Sequence, residues 1–294
     1  MKKMIEISNN VSDEPRWRNF MRQLLDMLLE VGLVQTDDTG QCEPETSPWG
    51  EDGYFVFRMN DAAQATFPVF LQLRFTAVGT TGNTSGKVRW SASVGNGSDG
   101  EGGITGTFYD LDIGNRALSG SSTGMLGAVA TDGFFCVFGA YGGNSGPSLA
   151  ICRTCDSEGV ANGFGVTVFG GAYGTLSATG HGNVANLKLG PPNVQTVVGE
   201  VDFELALLKP FNIGQSVSGE LPAYLAWHAF PEIMPMHGLC GVLAASMTQF
   251  DTFEVALVGN TPKPYLVLGP NVFDRYNSTQ ANRADLASMA ILWE

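Results

Sequence analysis

Charge is scarce in this 294-residue chain: Asp, Glu, Lys and Arg make up only 15% of it, against roughly 25% in an average soluble protein. Lys and Arg number 16 against 29 acids, a formal charge of −13. That is too few cations for a basic stripe, which excludes nucleic-acid binding as the main task. No apolar run approaches the roughly 18 residues that a membrane helix needs, so no membrane partner is expected. Met1–Asn10 (MKKMIEISNN) carries two lysines but no apolar stretch and does not read as a secretory signal. The five cysteines are odd in number and widely spread. They argue against a disulfide framework and for synthesis in a reducing cytoplasm. Only three histidines are present, His181, His228 and His237. No acid stands at motif spacing to make a pair of them catalytic or metal-binding.

Apolar residues are plentiful at 44%, enough for a substantial core and against general disorder. The length suits one large domain or two ordinary ones. The 38 glycines follow no three-residue period and read as tight turns. One segment has a helical period. Trp17, Phe20, Met21, Leu24, Leu28 and Val31 fall on one face. Ser12 or Asp13 can cap it, Pro15 suits its first turn, and Gly32 stands where a helix ends. This face either packs on its own domain or docks on a partner. Gln35–Asp52 is polar, with Pro44 and Pro48, and reads as a linker.

From Gly53 the period changes to two. Val69, Leu71, Leu73 and Phe75 alternate with Gln72 and Arg74, and Val88, Trp90, Ala92 and Val94 with Lys87, Arg89, Ser91 and Ser93. Phe203, Leu205 and Leu207 alternate with Asp202 and Glu204, and Phe253, Val255 and Leu257 with Glu254 and Ala256. Such alternation marks strands with one face on a core and one in water. Further strands are expected at Tyr54–Met59, Phe134–Phe138, Leu149–Arg153, Gly165–Phe169, Pro222–Trp227, Leu239–Ala244 and Tyr265–Leu268. The fold expected is mainly β, an antiparallel β-sandwich or jelly-roll-like architecture with a short N-terminal amphipathic helix. Residues 1–52 form a docking segment of helix and linker, and residues 53–294 a β-rich domain with a subdivision near 190–200. An internal echo joins Asp132–Gly139 (DGFFCVFG) to Asn162–Gly170 (NGFGVTVFG), each reading as a turn that feeds a strand.

Motifs with chemistry attached are weak. Cys152-Arg153-Thr154-Cys155 supplies two thiols where structural zinc needs four ligands, so no metal is expected to hold the fold. Replacing both by serine should then leave the melting temperature nearly unchanged. Gly120–Gly124 matches G-x-S-x-G without a strand-to-helix elbow around it. Asp110–Asn115 starts like a calcium loop but has Ser121 at position twelve instead of Glu. Asp99–Glu101 is an acidic turn, and Gly95–Gly103 reads as a mobile loop tip without a P-loop lysine. No catalytic residue and no cofactor site emerges.

Four segments resemble a known group. Val34–Gln41 (VQTDDTGQ), Gly53–Asp61 (GYFVFRMND), Gln64–Phe70 (QATFPVF) and Val94–Gly100 (VGNGSDG) follow in the order of motifs seen in tailed-bacteriophage virion structural proteins. The likeness covers about the first 110 residues and departs from the group's pattern at Asp38 and Met59. It implies a protein made in the host cytoplasm and located in the virion, contacting other virion proteins in a tail, baseplate or fibre-attachment structure. A capsid decoration protein is the alternative within that class. The rival from another class is a carbohydrate-binding or hydrolytic module acting on a host surface glycan. For it, Trp49, Tyr141 and Tyr173 could stack on sugar, and Asp99, Glu101, Asp110 and Asp112 are the carboxylates available. The low charge with many apolar residues suggests a homo-oligomer, with a trimer favoured. The docking face expected for it is Trp17, Phe20, Met21, Leu24 and Leu28.

Overall fold

The computed structural model describes residues 1–8, 11, 13–49, 51–78, 87–107, 109–114, 123–141, 144–155, 160–171, 188–189, 196–197, 224–225, 238–246, 253–258, 263–268 and 287–294. It is a mainly β protein with antiparallel sheets and one short N-terminal helix, as the residue periods predict. In chain order the elements begin with β1 (Lys2–Ser8), α1 (Glu14–Val31), β2 (Val34–Gln35), β3 (Gly53–Arg58), a 3-10 turn (Ala62–Ala65), β4 (Phe70–Val78) and β5 (Lys87–Gly95). They continue with β6 (Gly97–Ser98), β7 (Ile104–Thr105), β8 (Tyr109–Gly114), β9 (Thr123–Thr131), β10 (Phe134–Tyr141), β11 (Asn144–Cys155) and β12 (Ala161–Gly171). The later ones are β13 (Lys188–Leu189), β14 (Thr196–Val197), β15 (Tyr224–Leu225), β16 (Gly238–Leu239), β17 (Val242–Ser246), β18 (Val255–Val258), β19 (Lys263–Leu268) and β20 (Ala287–Leu292). The alternating segment around Phe203 and the expected subdivision near 190–200 lie outside the described residues, apart from the two-residue β14.

Three sheets stack around two cores. The front sheet runs β2-β3-β4-β5-β8, the central sheet β1-β9-β10-β11-β12-β13-β14 with β16 on β11, and the back sheet β15-β17-β20-β19-β18. Phe55, Phe57, Leu71, Leu73, Phe75, Trp90 and Ala92 of the front sheet share one buried cluster with Leu126, Phe135, Val137, Ile151 and Val168 of the central sheet. The other face of the central sheet meets the back sheet, where Phe138 packs 6.0 Å from Phe253 and 5.8 Å from Trp293. A strand covered on both faces has no reason to alternate. Phe134–Phe138 is accordingly an unbroken apolar run, with all five side chains at most 1% exposed.

The helix forms as its caps dictate. Asp13, not Ser12, is the N-cap: its carboxylate accepts from the Arg16 N–H at 3.0 Å, and Gly32 closes the C-terminus at φ +112. Its place differs from the docking role. The five residues expected at a partner interface, Trp17, Phe20, Met21, Leu24 and Leu28, are at most 1% exposed within the chain itself. Trp17 meets Phe75 edge-on at 5.5 Å and Phe20 meets Trp90 at 5.5 Å. The helix also lies along β1 and β9, so it fills the wedge between the front sheet and one edge of the central sheet. The physical reason is the strand β1, for which Met1–Asn10 carries no clear residue period. It pairs antiparallel with β9 from Lys2↔Val129 to Ser8↔Thr123, and this fixes the start of the helix at that sheet edge. Residues 1–52 are therefore not a detachable segment.

Two further corrections concern periods and turns. In β18 the burial is the reverse of the expected one: Ala256 is buried, while Val255 and Leu257 are 50% and 60% exposed. In the internal echo, Asp132–Gly133 is a two-residue hairpin turn between Thr131 and Phe134, with Gly133 at φ +77. Its counterpart Asn162–Gly163 lies inside β12, at the register shift opposite Arg153 and Cys155, and is not a turn.

Candidate functional site

The segment read as a linker, Gln35–Asp52, continues from β2 along the edge of β3 and is bonded to it. Thr36 and Cys42 donate backbone N–H bonds of 3.0 Å to the Val56 and Tyr54 carbonyls. The Gln41 amide does the work of a missing strand. Its Oε1 accepts from the Val56 N–H at 2.8 Å and from Gln35 Nε2 at 3.0 Å, while its Nε2 donates to the Thr36 carbonyl at 2.7 Å. Each of these backbone groups would otherwise be unpaired beside a buried sheet, at roughly 1–3 kcal/mol apiece. On the other side, Arg18 Nη1 donates to the Pro44 carbonyl at 2.9 Å and Arg22 pairs with Glu45, so the same segment is tied to α1.

Asp38 is the centre of this latch. Its carboxylate accepts from Ser98 Oγ at 3.0 Å and from the Gly102 N–H at 3.1 Å. Thr39 donates its backbone N–H to the Gly100 carbonyl at 2.9 Å. Tyr54 Oη shares its one O–H between the Thr39 and Glu101 carbonyls, at 2.8 and 3.1 Å. The Tyr54 ring lies over Gly102, which takes φ +95 and leaves no room there for a Cβ. Asp99 closes its own turn by accepting from the Glu101 and Gly103 N–H groups, both at 2.8 Å. Gly95–Gly103, read as a mobile loop tip, is thus pinned between Asp38, Tyr54 and the Gln72 side chain, which donates to the Gly102 carbonyl. The second acid at Asp38, which departs from the resemblance, is the residue that makes this attachment.

Burial raises the Asp38 carboxyl, but hydrogen bonds from Thr36, Ser98 and the backbone of Gly102 and Gly100 outweigh it and hold the group below its ordinary value. A depressed folded value means that the unfolded chain binds more protons in the acid range. The stabilisation is complete above the ordinary carboxylate value and is lost as pH falls through the folded one. Asp38→Asn should therefore lower stability at neutral pH by about 1.5–3 kcal/mol, the usual worth of hydrogen bonds to a charged group. The gap from the parent chain should close below about pH 4. Urea midpoints measured across pH check this; a gap that does not depend on pH contradicts it.

The second buried polar centre joins the front and central sheets. Arg153, on β11, is fully buried, and the Asp61 side chain facing it is 1% exposed. Arg153 Nε and Nη2 bind the two Asp61 oxygens, the latter at 2.8 Å. Its Nη1 donates to the Phe67 carbonyl at 2.7 Å and Nη2 also to Gln64 Oε1 at 3.1 Å. Gln64 Oε1 accepts in turn from the Val69 N–H at 3.0 Å. This fork-shaped pairing is one that only a guanidinium can make. Nearby, the Ala62 N–H donates to Asp132 Oδ1 at 3.1 Å, linking the 3-10 turn to the β9–β10 hairpin. A lone arginine in the apolar stretch Leu149–Cys155 was the available signal for this centre, and the reading of Cys152–Cys155 as a thiol pair passed over it.

No protein-family model, no curated protein and no solved structure matches the chain.

The other residues of chemical interest are dispersed. Cys152 is fully buried in β11 and Cys155 ends the strand opposite Gly238. Cys152 is 0% exposed, so serine there exchanges well-packed sulfur for a smaller, more polar group, and the double serine substitution is not the silent change expected from the sequence. Among the described residues no three His, Cys, Asp or Glu side chains are grouped to hold a metal. Asp110 and Asp112 lie on β8 rather than in a loop, and Asp110 pairs with Arg74 across the front sheet. Asp99 and Glu101 share one turn, in which Asp99 accepts from the Glu101 N–H and the Glu101 carbonyl faces Tyr54 Oη. Trp49 is 36% exposed, and Tyr141 ends β10. His181, His228, His237, Tyr173 and residues 120–122 of the G-x-S-x-G match lie outside the described residues. No described helix is long and apolar enough to cross a membrane.

Proposed function

We propose that the chain is a structural component of a phage virion, in the tail, baseplate or fibre-attachment part of the particle, acting by protein–protein contacts. The observation that supports this reading is where the resemblance residues sit. Asp38, Gln41, Tyr54, Asp61, Gln64 and Phe67 fall in the segments similar to virion proteins, and each spends its polar groups on the two latches. Motif residues used this way serve a rigid scaffold that has to keep its shape within an assembly. Residues held for chemistry would instead converge on a cleft.

The test is direct. Particles are purified from the phage whose genome encodes the chain, heads and tails are separated, and the peptides of each are identified by mass spectrometry. The chain is expected in the tail fraction at a copy number matching a structural part. Recovery with heads alone replaces the tail assignment by the capsid-decoration alternative. Absence from particles, together with sugar release when the purified chain meets host polysaccharide, overturns the virion reading in favour of a glycan-acting module.

A further inference from the structure

The edge strand β18 carries the least protected apolar surface among the described strands. Its two exposed side chains, Val255 and Leu257, fall on the same face. Its ladder with β19 pairs Val255↔Leu266, Ala256↔Tyr265, Leu257↔Pro264 and Val258↔Lys263. In a strand, the N–H and C=O of one residue point to the same side, and successive residues alternate. The Pro264 carbonyl accepts from the Trp293 N–H at 2.9 Å, so Pro264 faces β20. Tyr265 and Val267 then face β18, as the bonds from Phe253 N–H to the Val267 carbonyl (2.7 Å) and from Val267 N–H to the Glu254 carbonyl (2.8 Å) require. It follows that Ala256 spends its backbone groups on β19, and that Val255 and Leu257 aim both N–H and C=O away from the sheet. Among the described residues no strand pairs with that side. No charge or proline blunts the sequence Val255-Ala256-Leu257-Val258, although native edges are usually protected by one or the other.

We propose that this edge pairs with β18 of a second copy of the chain, antiparallel and about a two-fold axis through Ala256. One register engages both outward-facing residues of each strand. Residues opposite each other in an antiparallel pair must share a face and, to bond, must both point outward. Val255 opposite Leu257 of the second copy satisfies both conditions, twice by symmetry, giving four new backbone hydrogen bonds. The two exposed pairs of apolar side chains close into one cluster. Ala256 meets its own symmetry mate at the non-bonded site, where the backbones approach most closely and a small side chain fits. Phe253, a turn residue with φ +68 just outside β18, ends the ladder there. The interface replaces the buried helix as the seat of self-association, gives a dimer rather than a trimer at this contact, and does not depend on the virion reading.

Sedimentation velocity on the full chain tests it with two double substitutions at these exposed positions. The parent chain is expected to sediment as a concentration-dependent dimer. Val255→Lys with Leu257→Lys sets like charges directly opposite each other and should abolish the dimer, with the melting temperature of the monomer unchanged. Val255→Glu with Leu257→Lys sets opposite charges across both bonded pairs and should restore it. A parent chain that stays monomeric up to its solubility limit overturns the proposal. So does a dimer that survives the two lysines, or a Glu/Lys variant as monomeric as the Lys/Lys one.

Discussion

Asp61→Ala should cost the chain about 3–5 kcal/mol, the usual result of leaving a buried charge without its partner. The guanidinium of Arg153 is fully enclosed between the front and central sheets, and water cannot replace the lost carboxylate without opening that contact. Its remaining acceptors, the Phe67 carbonyl and Gln64 Oε1, are neutral and do not offset the charge. Arg153→Met should be costly for the mirror reason: it strands Asp61 and removes the donor from the Phe67 carbonyl. The pair together, Asp61→Ala with Arg153→Met, should cost clearly less than the two single changes added, because an apolar pair needs no desolvation. Urea unfolding of the four chains closes the cycle. Single variants within about 0.5 kcal/mol of the parent, the range of ordinary surface changes, would mean that the ion pair is open to water.

The cost of that centre is tied to where the sequence could and could not be read. The outer strands were legible because each has one face in a core and one outside it. The Lys87–Gly95 and Phe70–Val78 alternation needs no knowledge of neighbours. The helix was legible in period and caps for the same reason. What a local period cannot say is which surface covers an apolar face. The Trp17–Leu28 stripe fits a partner or its own sheets equally well, and the deciding element, β1, has only Ile7 fully buried along its length. Edge position explains the reversal in β18. Alternation predicts the larger apolar side chains inward, but a strand at the margin of a stack has less to pack against, and Val255 and Leu257 remain outside. The two latches were invisible for another reason. Asp38 reaches Gly102 across 64 residues and Arg153 reaches Asp61 across 92, and nothing in the spacing of polar residues signals a contact at such a distance. Lys2 is a further case. Pro264 has no N–H to give to the Trp293 carbonyl, and Lys2 Nζ supplies that bond at 2.7 Å from the opposite end of the chain.

Deleting residues 1–33 should leave a chain that does not fold. The segment contributes Trp17, Phe20, Met21, Leu24, Met27, Leu28 and Val31 to the cluster shared by the front and central sheets. At about 1.5–3 kcal/mol for each large apolar side chain fully buried, their loss is comparable to the whole 5–15 kcal/mol by which native domains are usually stable. The deletion also removes β1 from β9 and exposes Phe75 and Trp90, the aromatic partners of Trp17 and Phe20. Point substitutions separate this from a docking role without a truncation. Phe20→Ala should lower the stability of the isolated chain by about 3–5 kcal/mol, as large-to-small changes at packed aromatics do. Leu29→Ala, on the exposed side of the same helix at 41% exposure, should change it by less than about 0.5 kcal/mol. Thermal unfolding of the two variants beside the parent decides the matter. If Phe20→Ala melts with the parent and the truncated chain still unfolds cooperatively, the helix is a docking element after all and the wedge between the sheets does not depend on it.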